Sequence, residues 1–422
     1  MGDIDDFQSF DRRFQQQLDR IDEFHPKDQP YVKRFVRKCD GRVKTSSMAE
    51  YLGNLRLNAK RLDQPLIDLD EDSFDEFIFE LQHSPEYGRG DTPGFAAKTV
   101  QTYQFALKKF LTTIDSLVET DFSWAEDIEL VTPDSTPVTE DDILTNEDIK
   151  ALCDGANNLR DIALVEFLAD TGARISLVGS LRVGDVDLES DQATFTPNPN
   201  ASGLKGAGIR PYPIIDAKAT LRTYLHRVHP RPDRDDVAFF HKMEGHGNDL
   251  EGDDGSLAPQ TIRNQLHRAA EKADLEKPVN PHNFRHSAIT RMRREGYDRA
   301  EVEHRVHWTV DSNMWSTYEH ISGEQHNDAI FEKVGLGDSD DGPSQERQPC
   351  GNCLEPIAPY HDYCPRCGDA VTPEAREATK EATAEGSQFI VNADGEHVQL
   401  GVSEILSALA TNDVQVDADT PE

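Results

Sequence analysis

The sequence predicts an α+β protein that is mostly α, built from two helical modules and a small cysteine-bearing one. Three observations carry that prediction. Apolar residues recur at spacings of three and four across 31–117 and again from Asn146 onward, the period of helices buried along one face. Extended sequence is scarce, and its best instance is a Gly-rich strand pair near 193–215. Four of the 6 cysteines fall in one short segment as two Cys-x2-Cys pairs.

Taken in order, residues 1–30 are polar and acidic and read as a frayed arm with some helix. Residues 31–126 form a helical domain, interrupted by the Gly/Pro loop "PEYGRGDTPG" at 85–94. Lys33, Arg34, Arg37, Lys38, Arg42 and Lys44 make its start locally basic. The stretch 127–142 is rich in Asp, Pro, Ser and Thr without a helical period, and reads as the interdomain linker. A second domain spans 143–335. It opens with a helical pattern from Asn146 to about Leu168, continues through "TGARISLVGSLRVGDVDLES" and the strand pair, and adds helices over 217–228, 259–273, 284–295 and 299–305. Glycines and aspartates at 335–342 close it. The cysteine module occupies 346–372. The tail, 373–422, offers an exposed helix at "PEAREATKEATAE" and a short hairpin about Asp394-Gly395.

Charge is the unusual property of this 422-residue chain. There are 79 Asp+Glu against 44 Lys+Arg, for a net charge of −35, and the acids are spread along the whole length. Acidity of this kind ordinarily argues against a nucleic-acid partner, since phosphates want a basic face. A dispersed carboxylate coat with Arg in excess of Lys also suits a protein hydrated in concentrated salt, which points to a halophilic source. In ~1 M salt the Debye length is about 3 Å, so global repulsion is screened nearly to contact and local cations decide binding. No run of eighteen apolar residues is present and the first residues are polar and acidic, so no membrane span or secretory leader is expected and the chain reads as cytoplasmic.

Four signals converge in the second domain. Arg174 follows a Thr-Gly turn in "ADTGARIS"; Lys205 sits in the Gly-rich turn of "GLKGAGIRPYPI". His282 and Arg285 lie three apart at a helix start in "NPHNFRHSAIT", and "RVHWTVDSNMWSTYEHIS" sets Trp308 ten residues before Tyr318. Taken singly, each has a structural reading: a helix-end contact, a solvated turn lysine, a cap or acid pair, a packed tyrosine. Their joint occurrence in this order and spacing outweighs those readings, and the set is of a kind chemically able to act on a phosphodiester. A phenol can attack phosphorus and later be displaced by a deoxyribose hydroxyl. Two guanidiniums and an imidazole can stabilise the charge that other phosphoryl transferases balance with magnesium.

At these boxes the sequence resembles the tyrosine recombinase (phage integrase) family, over roughly 143–335 and more loosely over 31–125. The resemblance implies a helical, SAM-like core-binding domain that clasps DNA, followed by a catalytic domain with a small antiparallel sheet. It implies Tyr318 as nucleophile, Arg174 and Arg285 on the scissile phosphate, Lys205 as general acid and His282 in proton transfer. Trp308 takes the slot that is His or Trp across the family, with His307 as its alternative. Two departures stand out: Leu177 occupies a place that is usually acidic, and Val306-His307 replaces the usual Leu-Gly before the His/Trp slot. The implied function is site-specific recombination of double-stranded DNA through a 3′-phosphotyrosyl intermediate, with no catalytic cofactor and a tetramer on synapsed sites, monomeric without DNA. The alternatives are a catalytically silent DNA-binding accessory protein and a type IB topoisomerase-like relaxing enzyme.

Cys350, Cys353, Cys364 and Cys367 form Cys-x2-Cys-x10-Cys-x2-Cys, a spacing that presents four thiolates tetrahedrally and reads as a structural zinc ribbon. Its role is open between DNA contact and protomer contact. Cys39 and Cys153 read as buried, inert thiols.

Overall fold

In the computed structural model of the chain, residues 3–88, 92–133, 139–243, 252–309, 315, 347, 349–384, 391–393 and 396–398 are described. Tyr318 and the closing 335–342 stretch lie outside the described residues, as do 134–138 of the expected linker.

The first domain consists of α1 (Phe10–Leu18), α2 (Gln29–Cys39), α3 (Thr45–Arg61), α4 (Glu71–His83) and α5 (Ala97–Ile114). Its core gathers Phe35, Leu52, Leu55, Phe74, Leu107 and Phe110 from four of these helices. The Phe35 and Phe110 rings meet edge to face at 5.5 Å. The buried Asn58 side chain donates to the Tyr103 carbonyl at 3.0 Å, locking α3 against α5.

The second domain is wound about α7 (Leu159–Thr171), which is buried on nearly every side. Around it lie α6 (Asn146–Gly155), α9 (Lys218–Arg227), α10 (Pro259–Lys272) and α11 (Pro281–Arg294). The short helices α8 (Ile175–Ser180) and α12 (Arg299–Arg305) follow Arg174 and precede Trp308. The helical run expected over 146–168 divides in two because Asn158 starts a new helix, its side chain accepting the Asp161 amide at 3.1 Å. The sheet has three strands rather than two: β1 (Val186–Asp187), β2 (Thr194–Phe195) and β3 (Tyr212–Pro213), antiparallel in order, with Phe195 opposite both Val186 and Tyr212. A two-residue strand leaves too little alternation to be read from sequence.

The expected frayed arm is a correction. Phe7 is 4% exposed and belongs to the second domain's core, while α1 packs on α3. Acidic sequence here does not mean solvation, because the arm's carboxylates accept hydrogen bonds from the chain they cover.

The cysteine module also docks on the second domain. Ala358 and Tyr360 join its core. Beside them the His361 imidazole meets the buried Glu166 carboxylate at 2.8 Å, Thr223 donates to the Pro365 carbonyl at 2.9 Å, and Lys150 pairs with Asp362. Beyond it lie α13 (Pro373–Ala384) and the antiparallel hairpin of β4 (Val391–Ala393) and β5 (Glu396–Val398). Among the described residues no helix is long and apolar enough to cross a membrane.

Candidate active site and metal centre

The Thr-Gly turn after α7 is the hub of the site. Gly172 takes φ +57°, a left-handed helix end that a side chain resists, and a Cβ there would lie 3.2 Å from Ala288 Cβ on α11. The close approach lets the Gly172 carbonyl accept a hydrogen bond from Arg285 Nη1 at 2.8 Å. Arg174 follows two residues later as the cap of α8, its own carbonyl accepting from the Leu177 and Val178 amides.

His282 enters at the start of α11, where the Asn280 side chain accepts the His282 and Asn283 amides at 3.0 and 3.1 Å. Lys205 lies on a turn in which Gly203, Lys205 and Gly206 all have positive φ. Gly206 approaches Thr309, so this turn lies beside the segment that follows Trp308. Burial lowers the His282 pKa, and the Arg285, Arg174 and Lys205 charges lower it further, so the four groups share one local field. His286 stands behind His282 with Nε2 to Nε2 at 3.1 Å, and burial, then His282 and Arg285, bring its pKa down to about 4. It is a neutral support for the His282 ring.

The two adjacent aromatics separate. Trp308 is 5% exposed and lies under the Arg285 guanidinium, 5.2 Å from Cζ to ring centroid. His307, with φ +59°, turns instead into the core between the Phe195 and Tyr212 rings, at 5.3 and 4.4 Å. Burial holds its pKa well below the usual histidine range, and neither ring nitrogen finds a hydrogen-bond partner among the described residues. Trp315 packs edge-on against Trp308 and donates from Nε1 to Glu303 at 2.8 Å.

Leu177, in the usually acidic place, is 2% exposed and packs in the core. Arg174 accordingly makes no hydrogen bond or ion pair from its side chain among the described residues, and burial weakens its hold on the proton. Asp170, four residues earlier, is occupied elsewhere: it pairs with Arg305 at 2.7 Å and accepts the Ile215 and Ala217 amides. Sequence reading missed this Asp170–Arg305 link, which ties α7 to α12. The result is a cationic cluster in which, among the described residues, neither Arg174 nor Lys205 has a carboxylate ion-pair partner, inside a chain of net charge −35.

All six residues of the early basic cluster are exposed. Of these, Lys44 lines the same cleft as Lys205, a cavity of about 720 Å³ between the two domains. Next to it, α3 and α5 form a groove with Ser47, Asn54, Lys98, Gln101 and Phe105 along its walls. Sequence reading passed over these positions because they break no helical pattern.

The four sulfurs of Cys350, Cys353, Cys364 and Cys367 lie within 4.8 Å of one another, with Cys350–Cys367 at 3.5 Å and Cys353–Cys364 at 3.6 Å. Tetrahedral Zn–S bonds of about 2.3 Å place sulfurs about 3.8 Å apart, so the donor set fits zinc. Each knuckle turns through a left-handed residue just after its second cysteine, Leu354 and Gly368.

The helical frame with its small antiparallel sheet is an integrase-like fold. It matches the lambda integrase dimer bound to a COC′ core site with a TM-score of 0.50 at 14% identity, covering 70% of this chain and 77% of that one. Residues 142–325 match the phage integrase family model, so this stretch is similar to the tyrosine recombinases. Among curated relatives it is similar to tyrosine recombinase XerD of Corynebacterium glutamicum, 32% identical over 169 residues, 40% of this chain and 50% of the relative. It is also similar to XerD of Mycobacterium tuberculosis, 27% identical over 273 residues, 61% of this chain and 81% of the relative. XerA of Pyrococcus furiosus is 29% identical over 176 residues, 41% and 55% of the two chains. The chain thus spans about half the length of several curated relatives it matches, such as the Corynebacterium XerD.

Proposed function

We propose that this protein is a site-specific DNA recombinase that breaks and rejoins strands through a 3′-phosphotyrosyl intermediate. The observation that carries the reading is the convergence of three cations, Arg174, Lys205 and Arg285, whose charges all act on the imidazole of His282 in a strongly acidic chain. Such a cluster is matched to a phosphodiester and to the extra charge of its pentavalent transition state.

In the first step the Tyr318 oxygen bonds to phosphorus as the bond to the 5′-oxygen breaks. His282, neutral by virtue of its lowered pKa, accepts the phenol proton, and Lys205 gives a proton to the departing oxygen. Arg174 and Arg285 hold the non-bridging oxygens, and Trp308 fixes the Arg285 plane. A 5′-hydroxyl from the partner strand then displaces the tyrosine and reverses each transfer. One ester bond is made for each broken, so no energy source or catalytic metal is required. DNA would lie across Lys44 and along the α3–α5 groove, where Asn54 and Gln101 could reach base edges. The remaining cations of the early cluster, Lys33, Arg34, Arg37, Lys38 and Arg42, would add contacts to flanking phosphates, and two paired sites would assemble a tetramer. Working in concentrated salt, the protein would rely on these close contacts alone. Zinc on the four cysteines would hold the ribbon's shape.

The test is transfer to a duplex built from the DNA bordering its own gene, with a nick that lets the cleaved end diffuse away, in high salt with chelator. Denaturant-stable adducts support the reading; their absence from the wild type contradicts it.

A further inference from the structure

We infer that the N-terminal arm, residues 4–10, is a strap that positions Lys205 for proton delivery and ties that position to the first domain. The inference rests on the recombinase reading above, in which Lys205 is the general acid.

The turn that bears Lys205 cannot place itself. Gly203, Lys205 and Gly206 are all left-handed, and only short local bonds such as Ala207 N–H to the Leu204 carbonyl hold it. Its position must come from what it packs against, and on one side that is the arm. The Ser202 amide donates to the Asp5 carbonyl at 2.7 Å, and the Ser202 hydroxyl donates to the Asp6 carboxylate at 3.0 Å. Asn198, fully buried at the root of the turn, donates to Asp5 Oδ1 at 2.8 Å and to the Ser180 carbonyl at 3.2 Å, joining arm, turn and α8. Gly203 is so close to Phe10 that a Cβ would lie 2.7 Å from the ring.

The same arm braces the helix that begins after Arg174. Gln8 donates to Ser176 Oγ, and the Phe7 ring fills the place a side chain would take at Gly179, where a Cβ would fall 2.1 Å from it. Ile4 anchors the start through its amide to Asp254 at 2.6 Å. Ser9, with φ +54°, then turns the chain into α1, which lies on α3; there Gln17 accepts from Arg56 at 3.3 Å. The strap therefore runs from the first domain to both cationic elements. A shift of the first domain as it engages a duplex would be carried to the Lys205 turn. Phe7, Gln8 and Asp5 are positioning residues; none is placed to touch the reacting atoms.

A leaving group that needs no proton separates this role from plain folding. The experiment uses the full chain and nicked duplexes carrying either the natural 5′-oxygen or a bridging 5′-sulfur at the scissile phosphate. Sulfur leaves as thiolate and makes the general acid dispensable. Wild type should cleave both, and Lys205→Ala should cleave only the sulfur substrate. The Asp5→Ala/Gln8→Ala variant is expected to slow on oxygen by about tenfold, less than the 10²–10⁴ of a lost general acid, and to regain near wild-type rates on sulfur. Phe7→Ala should do the same more strongly, with Phe7→Leu restoring part of the oxygen rate, and thermal melts confirm which variants fold. A folded arm variant that cleaves both substrates like wild type overturns the strap, as does equal slowing on both. A wild type inert on both substrates removes the recombinase reading itself, and the strap with it.

Discussion

Each cation of the candidate site is held by a different device, and so each should fail differently when removed. Arg174 has no side-chain partner among the described residues, so Arg174→Ala should leave the melting temperature nearly unchanged. It should still lower the cleavage rate by about 10²–10³, the usual cost of one transition-state donor. Arg285 also carries the hydrogen bond to the Gly172 carbonyl and lies over Trp308, so Arg285→Ala should lose stability together with rate. His282 supplies a pH test. Burial and then three neighbouring cations lower its pKa, so the neutral base persists below pH 6.5. Cleavage rates should hold through pH 6.5 and fall only on further acidification; an acid limb centred above 6.5 would contradict the lowered value. The candidate residues Arg174, Lys205, His282 and Arg285 could be picked out in the sequence because each sits in a short box at a turn or helix start. Asp170–Arg305 could not, since that pair joins residues 135 positions apart and neither looks unusual in its own segment. The choice between Trp308 and His307 was also closed to sequence, because it depends on one left-handed backbone angle at His307.

At the level of elements, turns and caps carry the site more than helix propensity does. Asn280 caps α11 and thereby orients His282, so Asn280→Ala should destabilise by about 0.5–2 kcal/mol, measured by denaturant titration, and lower the cleavage rate as well. Gly172→Ala meets both a left-handed angle and a 3.2 Å contact with Ala288, and should cost about 1–3 kcal/mol. A Gly172→Ala protein as stable as wild type would mean that the turn is not the hub described. The long amphipathic helices were readable from their three-and-four spacing. The strands were only partly so, since each holds two residues and pairing partners come from far along the chain. The docking of the arm escaped: two buried residues, Ile4 and Phe7, in an acidic stretch are too few to set a period.

The whole molecule couples parts that sequence set out as separate modules. The cysteine module contributes Ala358 and Tyr360 to the second domain's core and covers Glu166 with His361, so zinc held by its four cysteines would support more than the module itself. Stripping zinc with a chelator should lower the melting temperature of the second domain, and added zinc should restore it; a domain melt indifferent to the metal would show that the docking is not needed for stability. Buried neutral histidines set a pH dependence of the same kind. His241 and His286 have pKa values of about 4 in the fold against an ordinary 6.5, so the unfolded chain binds more protons between those values. Stability is thus full above pH 6.5 and declines toward pH 4, with a slope of up to about 1.4 kcal/mol per pH unit for each group.

Tyr318 lies outside the described residues, and one measurement reaches its proposed role directly. The full chain is incubated in high salt with a nicked duplex of its bordering DNA, the protein denatured, and the adduct digested and sequenced by mass spectrometry. A 3′-phosphotyrosyl nucleotide on Tyr318, absent from Tyr318→Phe, is the expected result. An adduct on another residue, or one that survives Tyr318→Phe, would contradict the assignment.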